Sequence, residues 1–148
     1  MKPTITVCHD ITLITLRNIP ADIGFIAEVF DKIAEMGTDV DMISLSPVQS
    51  SRTNLSFTVK DDDLVNILSY TSKLDDGSVK PIVSSGNCKI SINDEAMENC
   101  PGVAAKVFSN AAKADTEIRL ITTSESQISL LVTKSDSDAV FSRIKEAF

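Results

Sequence analysis

Tryptophan is absent, and histidine and tyrosine occur once each. A single imidazole leaves little material for a Ser/His/Asp or Cys/His catalytic set. His9, in a turn-like His-Asp pair, reads as a surface residue. No apolar run approaches the roughly 20 residues of a membrane span, and the start lacks the h-region of a secretory signal. Basic residues are few, 14 against 21 acidic, for a net charge of −7 and a pI near 4.6. A chain of that sign lacks the electrostatic footprint of a nucleic-acid binder. No glycine-rich phosphate loop is present. The three cysteines, Cys8, Cys88 and Cys100, have neither disulfide-framework nor zinc-knuckle spacing and read as small buried hydrophobes. The expectation is a cytoplasmic protein with no membrane or nucleic-acid partner, no metal and no cofactor.

What is present is a clean alternation of periods. The chain has 148 residues, enough for one ordinary domain or two very small ones. Residues 11–16 alternate and are β-branched, which predicts a strand. From Gly24, apolar residues recur at helical spacing through Phe25, Ile26, Val29, Phe30, Ile33 and Ala34, and Gly37 is a good terminator. Residues 40–45 and 54–59 read as strands joined by a polar hairpin. Asp61, Asp62 and Asp63 open a second helix, where carboxylates favour the macrodipole and form no metal site. An Asp75-Asp76-Gly77 turn leads to a short strand over 79–83. The order is strand–helix–strand–strand–helix–strand.

That order repeats. A shift of 78 positions superimposes Gly24 on Gly102, Val29 on Val107, Phe30 on Phe108, Ile43 on Ile121 and Ser46 on Ser124. Past the hairpin the shift is 73, aligning Ser56 with Ser129 and Val59 with Val132, so the first hairpin is five residues longer. The chain is a tandem duplication. The second copy ends after its second helix (Ala139, Val140, Phe141, Ile144, Ala147), with no closing strand. Residues 4–8 form a β-rich segment that precedes the first copy. The simplest repair lets this strand complete the second copy, because an open sheet edge is a liability. The expected units are 10–85 and 3–9 plus 86–148.

Three segments carry a family resemblance: Gly24-Phe25-Ile26-Ala27-Glu28-Val29-Phe30, Val40-Asp41-Met42-Ile43-Ser44 and Cys100-Pro101-Gly102-Val103-Ala104-Ala105. With Thr123-Ser124-Glu125 and the C-terminal Ile144-Lys145-Glu146-Ala147-Phe148, they resemble the tandem ACT domains of the aspartokinase regulatory region. The resemblance covers essentially the whole chain. It implies an α+β fold of two ferredoxin-like βαββαβ units with antiparallel sheets, helices on one face, and the N-terminal strand in the second unit. Nothing in the chain resembles the kinase domain, so the implied role is non-catalytic binding of an amino-acid effector, lysine or threonine. Implied partners are a second copy in a homodimer and a separate aspartokinase catalytic chain. The alternative is an assembly module of the same fold that has lost effector binding, and a third case is a chain cut from a longer aspartokinase.

Physically, unsatisfied N–H groups at a helix N-terminus favour a carboxylate, and a glycine there lets the ligand approach. Pro101 suits a first helical position, and Asp41 is a candidate acceptor for an ammonium group. By matching position the resemblance implies a ligand set of Ile19, Asp22, Gly24, Phe25, Ile26, Val40 and Asp41 in the first unit. In the second it implies Asn99, Pro101, Gly102, Val103, Ser124 and Glu125. Two departures from the family pattern bear on this. Ser46-Pro47 replaces a Ser-Glu pair, and Arg119 stands where an acid is frequent. An arginine there opposes an ammonium and is suited to grip a carboxylate or neutralise Glu125.

Overall fold

The computed structural model describes residues 3–148. The chain forms two compact units, Ile11–Ser85 and Met1–Asp10 with Gly86–Phe148. Its elements are β1 (Thr4–Pro20), α1 (Ile23–Glu35), β2 (Ile43–Leu45), β3 (Arg52–Lys60), α2 (Leu64–Thr71) and β4 (Ile82–Asn93). They are followed by α3 (Val103–Ala112), β5 (Leu120–Thr123), β6 (Gln127–Thr133) and α4 (Lys134–Ala147). The long strands β1 and β4 contribute residues to both units.

In the Ile11–Ser85 unit the strand order is β2-β3-β1-β4, the order of a βαββαβ unit. Ile11 pairs antiparallel with Lys60 and Leu16 with Leu55, and the register shifts between Leu16 and Ile19. Side chains on one face of a strand are two residues apart. Ile14 and Leu16 of β1 therefore join Leu55, Phe57 and Val59 of β3 in one layer. Ile26, Val29 and Ile33 of α1 and Ile67 of α2 cover them. Phe30 meets Phe57 edge-on at 5.7 Å between ring centroids, a geometry that aromatic quadrupoles favour. Thr12, fully buried beside this core, donates its hydroxyl to Asp61 and lies 2.9 Å from the Ser85 hydroxyl.

The second unit repeats the plan with order β1-β4-β6-β5. Its core is built from Ile90 and Ile92 of β4, Ile128, Leu130 and Val132 of β6, and Val107, Val140 and Ile144 of the two helices. Ile5 and Val7 of the N-terminal strand pack on it. The α+β architecture of two such units agrees with the reading from sequence.

Several details differ from that reading. Residues 11–16 belong to one continuous 17-residue strand, and His9 lies within it rather than in a turn, its Nδ1 3.2 Å from the Cys88 sulfur. Cys88 is buried, but Cys8 and Cys100 are exposed. The strand expected over 40–45 is regular only at Ile43–Leu45. The strand expected over 79–83 begins at Ile82, because Pro81 offers no N–H to a ladder. Asp61–Asp63 form a tight 3₁₀ turn and α2 proper starts at Leu64. On α4, Ala139 is exposed while Val140 and Ile144 face the core.

Helix α1 ends as its sequence predicts. Gly37 takes φ +76, its N–H bonds the Ala34 carbonyl at 2.9 Å, and the Thr38 N–H reaches Ile33 at 3.4 Å. These two bonds make a Schellman ending. Open space surrounds a Cβ built on Gly37, so the conformation alone disfavours a side chain. Gly37→Ala is expected to lower unfolding free energy by about 1 kcal/mol with no change in cooperativity, measured by urea denaturation.

Candidate functional site

Both units carry a strand-to-helix loop and a hairpin turn at the same end, and the registers show why. In the Ile11–Ser85 unit Pro20 pairs with Arg52, and the Ala21 N–H donates to Ser51 at 2.9 Å. In the other unit Asn93 pairs with Gln127, and the Asp94 N–H donates to Ser126 at 2.9 Å. The bond from the Ser46 N–H to Asn54 matches that from the Ser124 N–H to Gln127.

The helix N-termini differ. Asp22 is the N-cap of α1; its Oδ1 accepts from the Gly24 N–H at 3.0 Å, and its carbonyl accepts from Ile26. The positive end of α1 therefore already holds a carboxylate. Gly24 lies inside the helix without a positive φ, so no left-handed turn requires it. Helix α3 is capped by Gly102 at φ +92, with no side-chain acceptor. A glycine suits that left-handed position, and the first-turn N–H groups of Val103, Ala104 and Ala105 lie beyond the reach of the intrahelical ladder. Pro101 precedes the cap rather than occupying the first helical position. Asn99, at φ +59, is exposed, as are Pro101, Gly102, Ser124 and Glu125, and Val103 is half-buried.

The remaining first-unit residues divide between core and far edge. Ile19 and Ile26 are buried in the core, where their side chains pack rather than face a ligand. Phe25 and Val40 are half-buried against the same core. Asp41 donates its N–H to Thr58 at 3.1 Å, and Thr58 pairs with Leu13. Leu13 is seven residues along β1 from Pro20, about 23 Å at the rise of an extended strand. Within this unit Asp41 and the α1 N-terminus are thus at opposite ends. Arg119 occupies the matching place, its N–H donating to Leu131 at 2.8 Å. Arg119 precedes β5 and Glu125 follows it, and no ion pair joins them among the described residues.

Two open grooves lie on the Ile11–Ser85 unit. One, of about 460 Å³, runs along the hairpin and is lined by Asn18, Ser46, Val48, Gln49, Arg52 and Thr53, among others. The other, of about 370 Å³, lies between α1 and α2, where Phe25 and Tyr70 are accompanied by Glu28, Lys73, Asp75 and Asp76. The reading from sequence missed both, since their polar residues come from separate elements and turns, among them β1, β3, α1 and α2, that only the fold brings together. Burial pushes the Tyr70 hydroxyl above its ordinary value of 10.0, and the charges of Glu28 and Glu35 add to the rise. No group of three His, Cys, Asp or Glu side chains suited to a metal occurs among the described residues. No described helix is long and apolar enough to cross a membrane.

Comparison with known proteins places these features in context. A family model of the ACT domain matches residues 90–148. Aspartokinase of Geobacillus stearothermophilus is 30% identical over 138 residues, 93% of this chain and 33% of the relative. The chain thus spans about a third of the length of the curated relatives it matches. The regulatory subunit of aspartate kinase from Thermus flavus is 30% identical, with a TM-score of 0.89 over 100% of this chain and 99% of that one. A chain in the structure of aspartokinase alpha and beta subunits is 26% identical, with a TM-score of 0.83 over 100% and 99% of the two chains.

Two outcomes follow from the local chemistry. Asp22→Ala should cost about 1 kcal/mol of stability through the lost cap, measured by urea denaturation. Tyr70 has a folded pKa raised above its unfolded one, so its contribution is full below pH 10 and is lost as pH rises through the folded value. Alkaline titration followed by phenolate absorbance should show that delayed ionisation. Tyr70→Phe should remove its part of the alkaline loss of stability.

Proposed function

The chain belongs to the ACT-domain family of aspartokinase regulatory regions, and from that premise we propose that it is a non-catalytic sensor of an amino acid. The reading rests most on one observation, the N-terminus of α3 at Gly102, which no side chain caps, following the β4 end that adjoins the Ser124-Glu125 turn. The amides of the first turn suit the α-carboxylate of a zwitterion, and the Glu125 carboxylate suits its ammonium group. Lysine and threonine are the first ligands to try. Asn99, Pro101 and Val103 shape the same loop.

Asp41 lies at the opposite end of its sheet from Asp22 and Gly24. A ligand touching Asp41 and its neighbour Val40 together with Ile19, Asp22, Gly24, Phe25 or Ile26 therefore needs backbone contacts and surfaces from two copies. This supports a homodimer as the working unit. Ligand binding would then shift the equilibrium between quaternary states of a cytoplasmic assembly with a kinase chain, by as much as its affinities for the two states differ. A second reading, assembly without effector binding, is favoured in the first unit by Asp22 closing its own helix end and by Pro47.

The test is calorimetric titration of the chain with each of the twenty amino acids, alongside light scattering. Saturable binding of one or two of them is expected. Glu125→Gln should weaken it roughly tenfold, the loss of one charge-assisted contact, and Gly102→Ala should weaken it by disfavouring the left-handed cap that aims the amides. A stable dimer with no response to any amino acid would leave the assembly reading alone standing.

A further inference from the structure

Around the hairpin of the Ile11–Ser85 unit, five non-glycine residues adopt the left-handed backbone conformation. They are Asn18 at φ +55, Ser50 at +51, Ser51 at +62, Asp75 at +51 and Asp76 at +56. Ser50 and Ser51 are the two-residue loop closed by Gln49 and Arg52, where a positive φ at both positions is hairpin geometry. Asn18 and Asp75 meet one guanidinium. Arg52 reaches the Asn18 carbonyl and the Asp75 carboxylate through the same nitrogen, both at 3.4 Å, too long for strong bonds. Its remaining donors have no hydrogen bond within the described residues and border the 460 Å³ groove.

In the other unit the hairpin at the corresponding end carries Glu125. The end that pairs an open helix with a carboxylate in one unit pairs a closed helix with a guanidinium in the other. We propose that the hairpin groove of the Ile11–Ser85 unit is a subsite for a small monocarboxylate, held by Arg52. Arginine presents a planar fork that matches a carboxylate in bidentate geometry. The amide and hydroxyl groups of Asn18, Gln49, Ser46 and Thr53 line the groove for a polar body, and Val48 supplies an apolar wall. Asp75, paired with the guanidinium at 3.4 Å, and its neighbour Asp76 compete for that cation, which disfavours a doubly charged phosphate more than a monocarboxylate. The subsite draws on the sensor reading above only for the body of its ligand, so the probe is sodium propionate.

The Arg52 Nε–H resonance of the full chain is followed by NMR while propionate replaces chloride at constant ionic strength. Saturable movement of that resonance is expected, with Arg52→Lys, followed through the backbone amides of residues 49–54, weakening propionate roughly tenfold through the lost fork. Asp75→Asn should tighten propionate severalfold by removing a competing carboxylate. A resonance that stays still, or moves equally with chloride, overturns the subsite. Phosphate binding as tightly as propionate overturns its chemical class. If propionate saturates Arg52 while all twenty amino acids fail, the sensor reading falls and the subsite stands. If an amino acid binds and Arg52 stays silent to propionate, the subsite falls and the sensor reading stands.

Discussion

The first strand of a βαββαβ unit lies inside its sheet, so its backbone needs hydrogen-bond partners along both edges. In the second unit that strand is residues 86–93 of β4, and β6 satisfies one edge over the register from Asn87–Thr133 to Asn93–Gln127. Residues 86–148 contain no further strand for the other edge. The N-terminal strand meets the demand, and its alternation delivers Ile5 and Val7 to the core. The interleaved chain path, the length of β1 and β4 and the placement of the helices follow from satisfying that one edge.

Much of this was legible because period and duplication reinforce each other. Phe25, Ile26, Val29, Phe30 and Ile33 mark α1 by spacing, and the 78-residue shift marks α3 even though its apolar stripe is thinner. The missing strand could be inferred by counting. What stayed hidden was set by backbone conformation and tertiary bonds. Nothing in the composition of Asp22-Ile23-Gly24 says that the carboxylate folds back on the helix while Gly102 leaves its own helix open. Thr12 looked like an ordinary strand residue, yet it is the buried tie between β1, Asp61 and Ser85. The left-handed residues around Arg52 are serines, an asparagine and aspartates, types common in any loop. Only the observed dihedrals single them out.

The two units preserve scaffold bonds while inverting chemistry. Asp41 and Arg119 make the same backbone bond to β3 and β6 but carry opposite charges. The two hairpins differ in the same sense, one carrying Arg52 and the other Glu125. Buried strand and helix positions tolerate little change in volume, so divergence after duplication concentrated on exposed ends. A repeat of this kind doubles the fold without doubling the recognition.

The interleaved path also orders events during synthesis. Residues 4–10 are made before the Ile11–Ser85 unit, yet the β4 segment beside which they pair is made only after it. That inner unit can close its core while the N-terminal strand waits as an unpaired edge, the kind of segment that seeks other chains. Thr4-Ile5-Thr6-Val7 is short, and Asp10 breaks its regular conformation at φ +59. Nascent chains therefore pass through a stage in which this strand has no β4 beside it.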